Sequence, residues 1–186
     1  MKFQTIKKVH EGRFITRYDI DYKLEDGNVK TYEMISRSKD LTGEEDLVGA
    51  PIDSVILMVT DESGEKILLN KEFRLATGQT VYNFTAGLID PGESPREAAE
   101  RELREETGLT LTSVTDVLHA SYGAVGFSNE KNICIVGTAT GEFHHSTSAE
   151  EEIEPGWYTK AEVRQLLKEN YFSARTQAYC YLWSKE

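Results

Sequence analysis

A layered α/β or α+β domain is the fold class this sequence predicts, and three observations predict it. Short apolar segments rich in β-branched residues alternate with helices that carry recognisable caps. No internal repeat or low-complexity tract interrupts that alternation. The chain of 186 residues, 39% hydrophobic, is long enough for one domain with a substantial core and a small appended sheet.

Taken in order, residues 14–34 read as a β-hairpin. Tyr18, Ile20, Tyr22 and Leu24 alternate with charged neighbours, "EDGN" supplies the turn, and "VKTYEMI" returns. The polar stretch "SRSKDLTGEEDLVGAP" follows as a linker or loop punctuated by Gly43, Gly49 and Pro51. Beyond it "IDSVILMVT" and "KILLNKEFRL" read as neighbouring strands joined by the turn "DESGE". "VYNFTAGLID" then leads into a helix.

That helix begins at Ser94 as N-cap, with Pro95 at the first helical position and Glu97 closing a capping box, and Gly108 is placed to end it. "VTDVLHASYGAVG" and "NICIVGTATGEFH" are further strands, and "HSTSAEEEIEPG" is an acidic loop. Thr159 with Glu162 opens a second capped helix, and Ser173 is the expected cap of a last one.

Composition narrows the function. With 32 acidic against 21 basic residues the net charge is −11, and the longest basic cluster is Lys7-Lys8, so a nucleic-acid backbone would be repelled. Two cysteines, Cys134 and Cys180, make neither a disulfide framework nor a metal-ligand pattern, and His119, His144 and His145 make none either. The start "MKFQTIKKVH" lacks the apolar core of a signal peptide and no window approaches membrane-spanning length, which makes the cytoplasm the expected location.

Within the first helix Ala98, Ala99 and Leu103 form the expected packed side, while Glu102, Glu105 and Glu106 share a face at i, i+3, i+4. Like charges at that spacing cost an isolated helix roughly 0.2–0.5 kcal/mol per pair, partly offset by Arg101 reaching Glu105. One explanation is a merely solvated acidic surface. The other is a hard divalent cation, which prefers oxygen ligands and leaves positions for waters and substrate phosphates.

Gly87, Glu93 and "RELREETGL" from Arg101 to Leu109 fit the pattern G-x5-E-x7-R-E-U-x-E-E-x-G-U at every specified position, U being a bulky aliphatic residue. In this the sequence resembles the Nudix hydrolases. The resemblance implies an α/β/α sandwich with a mixed sheet and a loop-helix-loop that holds Mg²⁺, or Mn²⁺, beside a diphosphate. By position, Glu102, Glu106 and the Ala86 carbonyl would be metal ligands, Glu105 would support the metal or its water, Arg101 would orient Glu105, and Glu93 would support the loop. A further carboxylate is expected from "AEEEIEPGW", with Glu151 first as ligand or base and Glu152 beside it; either is otherwise part of a solvated charge run.

The hairpin ending in "YEMISR", with "KEFR", "AGLIDPGE", "GFSNE" and "SARTQA", is similar to the ADP-ribose pyrophosphatase branch. This implies residues 1–45 as a dimerisation and substrate-binding element, residues 46–186 as the hydrolase domain, a homodimer formed through the N-terminal sheet, and Arg37 and Arg74 as contacts to a nucleotide sugar. Each arginine reads equally well as a salt-bridge partner. Tyr18, Tyr22 and Tyr32 are candidates for stacking on a base or for packing within the sheet.

Two positions depart from the branch. Thr85 stands where a proline usually precedes the Ala-Gly, and Ala124-Val125-Gly126 replaces a downstream Ser-Pro-Gly. Substrate choice among ADP-ribose, UDP-glucose and other nucleoside diphosphate sugars therefore stays open. So do a non-catalytic ligand-sensing module and another chemistry on the same scaffold, such as isoprenoid diphosphate isomerisation using Cys134.

Overall fold

A computed structural model describes residues 1–144, 146 and 152–185. In chain order its elements are β1 (Lys2–Glu11), β2 (Thr16–Lys23), β3 (Val29–Ser36), α1 (Glu44–Val48), β4 (Ser54–Thr60), β5 (Lys66–Arg74), β6 (Gln79–Asn83) and β7 (Thr85–Leu88). There follow α2 (Pro95–Thr107), β8 (Thr110–Tyr122), β9 (Lys131–Thr140), β10 (Ile153–Thr159), α3 (Lys160–Glu169), β11 (Tyr171–Phe172) and α4 (Ala174–Trp183). Two compact units result, one of Met1–Asp53 with Ala120–Asn132 and one of Ser54–His119 with Ile133–Glu186.

The first unit is a three-stranded antiparallel sheet in the order β1-β2-β3. The expected hairpin is β2 and β3; β1 is an additional strand. Alternation on β2 sends Tyr18 and Ile20 into a small core with Met34 and Leu41. The Tyr18 hydroxyl donates to the Ser38 carbonyl at 3.0 Å and accepts the Leu41 N–H at 3.3 Å, so this tyrosine packs within the unit. The stretch expected as a linker holds α1, whose start is capped by Asp46 accepting the Thr42 and Gly43 N–H groups at 2.6 and 3.1 Å.

The segment after β8 belongs to this unit. Ile35 donates to the Phe127 carbonyl at 2.8 Å, and Lys131 donates its N–H to Asp53 and its ammonium to the Val48 and Ala50 carbonyls. Burial holds the Asp53 carboxyl above its ordinary range.

The second unit is built on a mixed sheet of order β11-β6-β5-β4-β9-β8, with β10 paired to β5, β7 paired to β4, and β11 parallel to β6. The period of two along β4 assigns its faces. Val55, Leu57 and Val59 pack with Ala98, Ala99 and Leu103 of α2, whereas Ile56 packs with Val163 of α3 and Cys180 of α4. One helical layer on each face makes the α/β/α sandwich. Part of the expected acidic loop is strand: β10 begins at Ile153 and pairs antiparallel with β5 through Pro155 and Gly156.

Helix α2 starts at Ser94, whose hydroxyl accepts the Glu97 N–H while Glu97 reciprocates, and stops at Gly108 in the left-handed region at φ 85°. Thr159 and Glu162 cap α3 in the same way. Ser173 precedes α4 without a side-chain cap bond, its hydroxyl bonding Asn83 and Thr176 at 2.8 Å instead. Among the described residues no helix is long and apolar enough to cross a membrane.

Leu103 is fully buried beneath α2. Leu103→Ala is expected to cost about 2–5 kcal/mol. Chemical denaturation of the two proteins measures the difference, and a loss of under about 0.5 kcal/mol, the range of ordinary surface substitutions, would contradict this packing.

Candidate active site

Strand β7 pairs with β4 through Ala86 and Gly87 and delivers the chain to the start of α2. The helix then returns across β4 and β7, because its Ala98, Ala99 and Leu103 face is buried there. Glu102, Glu105 and Glu106 are consequently carried along the sheet instead of standing free in solvent. Glu106 is 7% exposed; the Glu102 side chain is 14% and that of Glu105 46% exposed.

Arg101 binds this stripe to the loop before it. Its Nε and Nη2 donate to the two oxygens of Glu93 at 2.9 Å each, Nη2 also donates to the Leu88 carbonyl at 2.9 Å, and Nη1 reaches Glu102 at 2.8 Å and Glu105 at 3.3 Å. The hydrogen bonds to Glu93 above all hold the guanidinium proton more firmly than usual, and Arg101 in turn keeps the Glu93 carboxyl below its ordinary range. Arg101 thus contacts Glu105, but makes shorter bonds to Glu102 and to the loop.

The absence of a side chain at Gly87 matters. A Cβ there would lie 1.9 Å from the Glu102 carboxyl carbon and 2.0–2.3 Å from its oxygens, so this carboxylate rests directly on Gly87. Glu106 is met from the other side by Asn70 of β5, whose Nδ2 donates to Glu106 Oε2 at 2.6 Å. Asn70 is 1% exposed and its Oδ1 has no hydrogen-bond partner. A buried carbonyl oxygen left without a donor costs on the order of 1–3 kcal/mol.

Among the described residues no three His, Cys, Asp or Glu side chains converge into a ready metal cluster. Arg101 draws Glu102 and Glu105 to itself. The donor chemistry nevertheless fits a hard divalent cation: carboxylate oxygens on one helix face, one of them against backbone that carries a carbonyl, another nearly buried, and an orphaned amide oxygen beside it.

The remaining expected residues are dispersed. Glu151 lies outside the described residues, as does His145. The Glu152 carbonyl accepts the Phe73 N–H at 3.2 Å, and Glu152 lines a polar cavity of about 310 Å³ with Lys71, Thr80 and Glu154. Arg74 is ion-paired to Glu72 on its own strand. Arg37, in the first unit, donates through Nε to Glu130 at 3.1 Å, which among the described residues leaves its two terminal amino groups for another anion.

Tyr22 and Tyr32 line an apolar cavity of about 410 Å³ in that unit, with Tyr122 and Phe127. Cys134 is buried in the α3/α4-side core, and burial pushes its thiol up to about 11, which removes it as a nucleophile at neutral pH. Asn70 is the site residue that reading the sequence did not find. Its one signal is a polar side chain at the position where Leu68 repeats on β5.

The profile of the NUDIX domain matches residues 50–179. The ADP-ribose pyrophosphatase of Bacillus subtilis (strain 168) is 32% identical over 124 residues, 67% of this chain and 58% of that protein. The ADP compounds hydrolase NudE of Escherichia coli (strain K12) is 28% identical over 130 residues, 70% of this chain and 62% of that protein. The matched regions span about three fifths of those relatives. A crystal structure of an ADP compounds hydrolase shares the fold, with a TM-score of 0.72 at 22% identity, covering 100% of this chain and 93% of that one.

Gly87→Ala separates stability from site geometry. Its new Cβ collides with the movable tip of Glu102 alone among the nearest atoms, so the fold accommodates it by pushing that carboxylate away. Unchanged circular dichroism with turnover reduced roughly 10–100-fold is the expected outcome. Native turnover would show that Glu102 is not needed where it stands.

Proposed function

Because this chain belongs to the Nudix family, we propose that it hydrolyses the diphosphate bond of a nucleoside diphosphate sugar with the help of Mg²⁺. The specific substrate favoured is ADP-ribose, split to AMP and ribose 5-phosphate. The observation that carries the reading is the face of Glu102, Glu105 and Glu106, tied by Arg101 to the Glu93 loop, with Glu102 resting on Gly87. The printed names of the relatives, an ADP-ribose pyrophosphatase and an ADP compounds hydrolase, support the substrate class.

In this reading Glu102, Glu106 and the Ala86 carbonyl hold the cation. Bound there, Mg²⁺ would offset charge on the diphosphate and make a water more acidic. Glu105 supports the metal or its water, and Glu151 or Glu152 accepts the proton of the attacking water, whose oxygen bonds to phosphorus as the bond to the bridging oxygen breaks and that oxygen departs with the other phosphate. Arg101 orients Glu105 and holds Glu102 beside it. Arg37 and Arg74 bind the substrate's phosphates and sugar, for which the terminal amino groups of Arg37 are suited. A homodimer through residues 1–45 completes the proposal.

Chromatographic separation of the nucleoside monophosphate and sugar phosphate formed from ADP-ribose, UDP-glucose and other nucleotide sugars, and of the nucleotides formed from a dinucleoside polyphosphate and nucleoside triphosphates, with and without Mg²⁺, tests this directly. Metal-dependent cleavage strongest for ADP-ribose is expected. Preference for another sugar nucleotide would assign specificity to the Ala124-Val125-Gly126 loop, and no cleavage by folded protein would leave a ligand-sensing module.

Glu106→Gln should abolish turnover with the fold intact, and native activity would remove Glu106 as a ligand. Arg37→Ala is expected to raise KM with kcat little changed; an unaltered KM would reduce Arg37 to the structural partner of Glu130.

A further inference from the structure

We propose that Asn70 is a positioning residue that presets Glu106 as an oxygen ligand for the divalent cation, an inference that rests on the reading of Glu106 as a ligand given above. The argument begins with strand parity. Ile67 and Leu69 point into the α3/α4-side core and Leu68 into the α2-side core. The next side chain on the α2 side is therefore residue 70. An apolar residue would continue the packing of Leu68 against Ala98 and Leu103. The chain instead buries an amide there, 1% exposed, directly against the 7% exposed carboxylate of Glu106.

The orientation of that amide follows from chemistry. An ionised carboxylate only accepts hydrogen bonds, so the nitrogen of Asn70 must face it, as the 2.6 Å contact to Oε2 records. The oxygen is then turned away from Glu106 and left without a donor. A pair built for stability alone would satisfy both ends of a buried amide. This one fixes the carboxylate at one end and leaves a buried oxygen unpaired at the other.

The first feature serves a divalent cation, because Mg²⁺ and Mn²⁺ take carboxylate oxygens. Glu106, held by a rigid strand residue, has little side-chain freedom to lose when the cation arrives. The arrangement thus puts the gain in metal affinity and not in contacts to the nucleotide.

Calorimetric titration of the full chain with Mn²⁺ alone tests the assignment, without reference to turnover. Asn70→Leu keeps approximate volume and removes both amide ends; Asn70→Ala serves in the same titration if the leucine variant does not fold. A dissociation constant for Mn²⁺ weakened roughly 10–100-fold is expected. At saturating Mn²⁺ the KM for the nucleotide sugar should remain that of the native protein. A folded variant with native Mn²⁺ affinity would overturn the role of Asn70 and leave the metal reading standing, and a raised KM with native Mn²⁺ affinity would do the same. Failure of the unsubstituted protein to bind Mn²⁺ would overturn both.

Discussion

The multiple engagement of Arg101 is the interaction on which the site depends. One guanidinium spans three parts of the chain: the Leu88 carbonyl at the end of β7, the Glu93 carboxylate in the following loop, and Glu102 and Glu105 on α2. A stripe of like charges would otherwise oppose its own helix, and the loop of residues 89–94 would be held only by its turn, by Ile89 packed on the core and by the Ser94–Glu97 capping box. The planar fork of arginine is what allows this, since a lysine ammonium presents no comparable set of directed donors. The carboxylates gain fixed positions, and the arginine is held charged by the same contacts.

Packing supplies the second constraint. The period of two on β4 and β5 separates residues for the two helical layers, so α2 is located by Val55, Leu57, Val59 and Leu68 on one face, while α3 and α4 occupy the other through Ile56, Ile67 and Leu69. The acidic face of α2 is therefore placed by apolar contacts that include none of the acidic residues. Hydrophobic burial places the helix, and the ion pairs arrange what it carries.

This division explains what could be read without coordinates. The start, stop and packed side of α2 are local matters, written in Ser94-Pro95, Glu97, Gly108 and the Ala98, Ala99, Leu103 spacing, and each is found where expected. The central strands announce themselves by uninterrupted apolar runs. β1 does not, because "KFQTIKKVHE" is mostly exposed and acquires its form by pairing with β2. β10 is hidden by Pro155 and Gly156, residues that argue against a strand until β5 is known to lie beside them. At the site, the glutamates of the 102–106 stripe were legible from spacing. The pairing of Arg37 with Glu130 and the placement of Asn70 against Glu106 join residues 93 and 36 positions apart, and no local pattern encodes such a meeting.

The two cysteines have a consequence of a different kind. Both lie in the core between the sheet and the α3/α4 layer, where burial pushes their thiols up to about 11 for Cys134 and about 12 for Cys180. Alkylating and disulfide-exchange reagents act on thiolates, which neither position supplies near neutral pH. A cysteine introduced on an exposed strand or helix would be the only readily modified thiol in a native background. The chain is in that respect already prepared for attaching a single fluorophore or spin label, with no need to replace its own sulfur atoms first.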